Sequence, residues 1–311
     1  MRIAVLGGGG AMGGIFGGCL ARAGEEVILI DVAQAAVDAI NRDGVLIERK
    51  DGSVDTVPVR ASSRPEEVGP VDLIINFVKC YHTEAAMRSA APMLGPDTAI
   101  LTLQNGWGNA DRISDLVGKE RVLVGLTYNS GTLLAPGRVK HSGIGITHVG
   151  ELDGRTTARL EAAVAAFRNA GIDTSLSTRI LEEIWKKLAL NVCTLPTAAL
   201  LRFPAHELIQ HDGTNALMQA LLAEVVAVAA AQNIALSEAE RWSAIVKLLE
   251  QAIGGRASML QDVEAGRQTE IDVVNGAIVE AGRRHGVATP FNAAMVWMVK
   301  SLQEKYLSEG R

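Results

Sequence analysis

Arg2-Ile3-Ala4-Val5-Leu6-Gly7-Gly8-Gly9-Gly10-Ala11-Met12-Gly13-Gly14, at the start of the chain, decides the fold. Arg2–Leu6 reads as a strand that the glycines break at once. Gly8, Gly10 and Gly13 satisfy GxGxxG, and a helix-compatible run, Ala11–Ala23, opens inside the motif. The first glycine makes a tight turn, the second lets backbone approach a pyrophosphate, and the third lets helix and strand pack closely. The helix N-terminus, at Ala11 and Met12, then offers free N–H groups and a partial positive charge to phosphate. A second strand, Glu26–Ile30, ends at Asp31, 18 positions after Gly13, where a carboxylate would bond the adenosine ribose hydroxyls. That carboxylate would repel a 2′-phosphate, and Val32-Ala33-Gln34 brings no arginine to accept one. NAD is therefore the preferred cofactor, with NADP left open. The competing role for Asp31 is to cap the next helix.

Working outward, Asp72–Val78, Ala99–Leu103 and Arg121–Leu126 read as further strands. Ala33–Arg42, Thr83–Met93 and Asn109–Leu116 read as helices between them. This alternation predicts a largely parallel sheet covered on both faces. Asp51-Gly52 and Pro136-Gly137 mark two antiparallel excursions, and Gly171–Thr178 reads as a last strand. Residues 1–178 hold 24 of the 32 glycines, whereas residues 179–311 are rich in Ala, Leu, Glu and Lys with apolar residues at helical spacing. A boundary near Ser177 gives two domains, 1–178 and 179–311.

The balance of 48% hydrophobic and 21% charged residues fits a globular core, and the net charge of -5 gives no footprint for nucleic acid or an anionic membrane. Gln219 and Glu224 interrupt the most apolar run, Ala216–Ala231, which argues against a membrane span. Cys19, Cys80 and Cys193 make neither a disulfide framework nor a metal pattern, so no metal is expected and a cytoplasmic location fits best. The alanine- and leucine-rich helices suit a homodimer interface.

Several separated motifs carry a resemblance over nearly the whole chain. They are Gly8-Gly9-Gly10-Ala11-Met12-Gly13-Gly14, Asn76-Phe77-Val78-Lys79, Gln104-Asn105-Gly106-Trp107-Gly108 and Gly145-Ile146-Thr147-His148-Val149-Gly150. Further along come Trp185-Lys186-Lys187-Leu188-Ala189-Leu190-Asn191, Ser258-Met259-Leu260-Gln261-Asp262, and Thr269-Glu270-Ile271-Asp272 with Asn275-Gly276. In these the sequence resembles the ketopantoate reductase (2-dehydropantoate 2-reductase) family. The resemblance implies an α/β architecture: an N-terminal Rossmann domain, then an all-helical domain like that of 6-phosphogluconate dehydrogenase, with the active site in the cleft between them. It implies hydride transfer from a nicotinamide to the keto carbon of a 2-oxo acid, as in the step from ketopantoate to pantoate in pantothenate synthesis. Such a reaction needs an acid for the developing alkoxide and polar groups for the carboxylate.

By its place in the Trp-Lys-Lys-Leu motif, Lys187 resembles the family's general acid. Asn191 lies one helical turn away and can position it. Without the motif, Lys187 would read as a surface lysine paired with Glu183; Lys186 is the decoy, about 100° round the helix. Glu270 matches the acidic residue that meets the substrate and orients the lysine, and Ser258 matches the serine that binds the substrate carboxylate. Either would otherwise be solvated surface. The resemblance places Asn105 and Lys79 near nicotinamide and substrate; without it, Asn105-Gly106 is simply a turn. Trp107 and Trp185 read as packing residues.

Two positions depart from the family pattern. Leu195 precedes Pro196 where an asparagine is often found, and Gly255 stands where another asparagine is expected. Losing those donors weakens discrimination for a hydroxylated substrate. Three readings follow: ketopantoate reduction; an NAD-dependent 2-hydroxyacid dehydrogenase of the same family with a bulkier or more apolar substrate; and a non-catalytic dinucleotide sensor. The joint presence of Lys187, Asn191, Ser258 and Glu270 argues against the last. The glycine run, one residue longer than usual before Ala11, has no explanation from sequence.

Overall fold

The computed structural model describes residues 1–309, and the chain divides into two compact units. One comprises Met1–Gln104 and Asn109–Ile180; the other comprises Asn105–Gly108 and the chain from Leu181 onward. The units interleave, because four residues, Asn105–Gly108, leave the first to join the second.

In the first unit the order is β1 (Arg2–Leu6), α1 (Ala11–Arg22), β2 (Glu26–Ile30), α2 (Gln34–Asp43), β3 (Val45–Glu48), β4 (Val54–Val57), β5 (Arg60–Ser62), β6 (Val71–Asn76) and α3 (Thr83–Ser89). It continues with β7 (Leu94–Thr102), α4 (Asn109–Val117), β8 (Val122–Thr127), β9 (Ser130–Ala135), β10 (Arg138–Gly143), β11 (Thr147–Glu151), α5 (Ala158–Asn169) and β12 (Thr174–Leu176). The strands named from sequence are all present, β1 and β2 at the expected bounds and the others with ends displaced by up to five residues. The helix expected over Thr83–Met93 stops at Ser89 and gives way to a 3₁₀ turn at Ala91–Met93. Pro92 has no N–H to continue the ladder. Helix α5 was not anticipated.

Eight strands form one sheet in the order β12-β11-β8-β7-β6-β1-β2-β5, parallel except where β11 runs against β8. Period-two alternation puts Ile3 and Val5 in an apolar layer with α1, α2 and α5, and Ala4 and Leu6 in the opposite layer with Met87 of α3 and Ile113 of α4. The two antiparallel excursions join through a parallel β3–β10 pair into a second sheet, β4-β3-β10-β9.

Helix α1 lies between the two sheets. A Cβ on Gly17 would lie 2.3 Å from Leu29 Cδ2 of the large sheet, and one on Gly18 would lie 2.8 Å from Ile47 Cδ1 of the small one. A Cβ on Gly14 would lie 3.2 Å from Val139 Cγ1, again on the small sheet. The glycines beyond the phosphate motif thus let one helix pack closely on both sides.

The second unit holds α6 (Ile180–Leu201), α7 (Asp212–Ala231), α8 (Glu238–Gln251), α9 (Ser258–Glu264), α10 (Asn275–His285) and α11 (Pro290–Glu309). Helix α7 is long and apolar enough to cross a membrane by length and composition, with a mean hydropathy of 1.5. Its apolar character has a local cause. Met218, Leu221, Leu222, Val225, Val228 and Ala229 are buried in the core of this unit. Glu224, the charge in its middle, accepts hydrogen bonds from the N–H groups of Phe291 and Asn292, at 2.8 and 2.9 Å, at the start of α11.

Gly18→Leu should force α1 away from Ile47. The expected destabilisation is about 1–3 kcal/mol, read as a lower urea midpoint with the helical signal of the folded protein retained.

Candidate active site

The loop after β1 is pinned to β2, since Gly7 N–H and Gly8 N–H both donate to Ile30 O, at 2.9 and 3.0 Å. There is no room for side chains. A Cβ on Gly8 would lie 2.6 Å from Leu29 Cβ, and one on Gly13 would lie 2.2 Å from Gly7 O. Gly9 accounts for the length of the glycine run. Its N–H donates to Asp31 Oδ2 at 2.9 Å, and a Cβ there would press on the same carboxylate at 2.9 Å. Asp31 Oδ1 accepts from Ala33 N–H at 2.9 Å, so the side chain braces the turn, while α2 takes Ala33 as its N-cap. A carboxylate has about four acceptor sites, so Asp31 retains capacity for ribose hydroxyls. Gly10, the N-cap of α1, has no side chain to satisfy the first-turn N–H groups of Ala11, Met12 and Gly13. A cradle that only glycine can line, free amides at a helix start and a carboxylate beside it fit a nicotinamide dinucleotide.

Lys79 follows β6, and its carbonyl accepts from His82 N–H at 2.8 Å. Gln104, which sequence reasoning passed over, organises this region. Its Nε2 donates to Val78 O at 2.7 Å and to Thr83 Oγ1 at 2.8 Å, and its Oε1 accepts from Asn76 Nδ2 at 2.9 Å and Thr102 Oγ1 at 3.0 Å. One saturated amide thereby ties the segment bearing Lys79 to the end of β7. Its signal in the sequence was its place at the head of the Gln104–Gly108 motif.

The second cluster belongs to the helical unit. Gly106 has φ +89°, and a Cβ there would lie 2.3 Å from Val273 O. Trp107 N–H donates to that carbonyl at 2.8 Å, and the Trp107 and Trp185 rings sit 5.3 Å apart. These contacts hold Asn105 so that its Oδ1 accepts from Lys187 Nζ at 2.8 Å. Glu183 pairs with Lys186 at 2.7 Å, not with Lys187. Burial pushes the Lys187 ammonium down to about 8, and the Glu270 carboxylate opposes that fall. Glu270 itself is buried and begins the short turn Ile271–Val273. Asn191 is buried on α6, and Ser258 opens α9; no hydrogen bond joins either to Lys187 among the described residues. Lys187, Asn105 and Glu270 therefore form one cluster, with Asn191 a turn along.

The family profile described as Ketopantoate reductase PanE/ApbA matches residues 3–154, and its C-terminal counterpart matches residues 179–303. The chain belongs to the ketopantoate reductase family. Among its relatives, the 2-dehydropantoate 2-reductase of Pyrococcus abyssi is 34% identical over 301 residues, covering 96% of this chain and 97% of that protein. The enzyme of the same name from Halobacterium salinarum is 30% identical over 97% of this chain and 99% of its own. Among solved structures, a ketopantoate reductase from Ralstonia eutropha JMP134 superposes with a TM-score of 0.89 at 32% identity, covering 98% of this chain and 99% of that one. D-mandelate dehydrogenase, solved with NADH and anilino(oxo)acetate, superposes with a TM-score of 0.91 at 28% identity over the same shares. The family thus comprises oxidoreductases acting on 2-oxo or 2-hydroxy acids.

An amine-selective acylating reagent labels only the neutral lysine. Labelling of Lys187, followed by mass spectrometry, should rise through about pH 8. Glu270→Gln removes the charge that favours the ammonium, so it should lower that midpoint by about 1 unit. An unchanged midpoint would mean that Glu270 does not act on Lys187.

Proposed function

We propose that this oxidoreductase uses a nicotinamide dinucleotide to reduce a 2-oxo acid to a 2-hydroxy acid, with ketopantoate as the substrate and pantoate as the product. The observation that carries the reading is Lys187, its proton affinity lowered by burial, bonded to Asn105 and facing the charge of Glu270. A group that titrates near 8 is charged at neutral pH yet gives up its proton readily, as a general acid requires.

The glycine cradle and first turn of α1 would hold the pyrophosphate, and Asp31 would hold the adenosine ribose. The bound nicotinamide supplies the hydride. Lys187 Nζ supplies the proton that the developing alkoxide needs and, while charged, stabilises it. Asn105 fixes the direction of that ammonium, and Glu270 keeps it protonated in a site that disfavours charge. Asn191 and Ser258 would grip the polar end of the substrate, and Lys79 would meet cofactor and substrate at the carboxyl end of β6, the edge of a doubly wound sheet where ligands bind. NAD is the cofactor favoured over NADP, because the Asp31 carboxylate opposes a 2′-phosphate.

A second reading has specific support. Leu195 keeps 9% exposure in the apolar core of the helical unit, where the family often places an asparagine. D-mandelate dehydrogenase, similar over nearly the whole chain, is named for a substrate that carries a phenyl ring. On this reading the substrate is a 2-oxo acid with an aromatic or branched side chain. The three cysteines are buried and form no disulfide among the described residues, which accords with a cytoplasmic protein. Phe291, Trp297 and Met298, exposed along α11, favour association as a homodimer.

Initial rates with ketopantoate and with an aryl 2-oxo acid decide between the two substrates. A kcat/KM of about 10⁴ M⁻¹s⁻¹ or more marks the true one. Lys187→Ala should lower kcat by about 10² or more; a loss below about threefold would assign the proton to another group. Asp31→Ser should raise the NADPH-to-NADH ratio of kcat/KM, and an unchanged ratio would remove Asp31 from cofactor selection.

A further inference from the structure

Helix α6 carries Lys187 and Asn191 and has a proline in its interior, Pro196. Proline has no N–H, so the carbonyl four residues earlier, that of Val192, loses its helical donor. A buried carbonyl left without a donor is unfavourable. Here a donor arrives from outside the helix. Asn275, fully buried at the start of α10, donates from Nδ2 to Val192 O at 3.2 Å.

The direction of the Asn275 amide is set by a chain of groups behind it. The Glu224 carboxylate can only accept, so Asn292 presents Nδ2 to Glu224 Oε2, at 2.7 Å. The Asn292 amide oxygen then faces Asn275, whose Nδ2 donates to it at 3.0 Å. Both Nδ2 protons of Asn275 are thereby directed, one to Asn292 and one to Val192. Glu224 is itself fixed by the N–H groups of Phe291 and Asn292.

Asn275 also ends the segment that begins at Glu270. In the middle of that segment Val273 O accepts from Trp107 N–H at 2.8 Å, two residues from Asn105. Lys187, Asn105 and Glu270 stand on three separate pieces of chain. The 270–275 segment bonds to the 105–108 segment through Val273 and to α6 through Asn275. We propose that Asn275 is a positioning residue: it stands in for the N–H missing at Pro196 and so locks the Glu270 segment to the helix that presents Lys187. This deepens, and rests on, the reading of Lys187 as proton donor.

The test is a double-variant cycle with Asn275→Ala and Pro196→Ala in the full-length protein. Alanine at 196 restores an N–H within helical reach of Val192 O. Asn275→Ala in the native background should lower kcat by about tenfold or more with little change in KM, as misplaced catalytic groups do. It should also move the pH midpoint of Lys187 labelling by about half a unit. In the Pro196→Ala background the same change should alter kcat by less than about threefold and leave the midpoint in place. Equal effects in the two backgrounds overturn the proposal. If Asn275→Ala yields no folded protein, recovery of folding by Pro196→Ala supports it and failure in both backgrounds counts against it. Asn275→Asp, of the same shape but without the donor when ionised, repeats the comparison. Melting temperatures of the four proteins read the Asn275–Val192 tie without reference to turnover. Coupling there, together with an inert Lys187→Ala, would retain the tie and reject the proton-donor reading.

Discussion

An ammonium withdrawn from water loses hydration that the protein must replace, and the helical unit is arranged around that constraint at Lys187. Burial alone would drive the lysine toward its neutral form. Asn105 Oδ1 supplies a direct acceptor, and Glu270 supplies an opposing charge. Neither partner lies near Lys187 in sequence, so each must be delivered by a segment held for that purpose. The tight passage at Gly106, closed against Val273, delivers Asn105. The turn Ile271–Val273 delivers Glu270. Burial and the Glu270 charge together leave the Lys187 ammonium at about 8.

The first unit answers a different constraint, close approach. A pyrophosphate needs bare backbone amides, which requires glycine at Gly8, Gly10 and Gly13. Helix α1 also meets a second sheet on its far side, and Gly14 and Gly18 serve that contact. Gly9, the third glycine of the opening run, lets the Asp31 carboxylate that follows β2 lie along the loop. One glycine-rich stretch therefore serves ligand approach, strand packing and a second packing surface, and only the first of these has a recognised motif.

Polar groups buried or half-buried inside the fold link the two ideas. Gln104, Asn275 and Glu224 each bond backbone groups that secondary structure leaves open: Val78 O, Val192 O, and the Phe291 and Asn292 N–H groups. Such bonds contribute modestly when made, while their loss leaves an orphaned buried group. They fix loops and helix ends.

Sequence periodicity determined the strand–helix alternation, because a strand buried on one face at each alternate residue and a helix with an apolar stripe leave different spacings. The GxGxxG run was legible because close backbone approach imposes a local requirement for glycine, satisfied within a few residues. Lys187, Glu270, Asn191 and Ser258 could be named from motifs, since family resemblance marks positions. What sequence could not supply was which of them meet. Lys187 bonds Asn105, 82 residues away, and Glu183 turns to Lys186 instead. The part played by Asn275 was equally hidden, although Pro196 announced a missing donor. Local spacing records what a residue needs from its neighbours along the chain. A hydrogen bond across 83 residues, such as that from Asn275 to Val192, depends on how helices pack, and only the tertiary structure decides that.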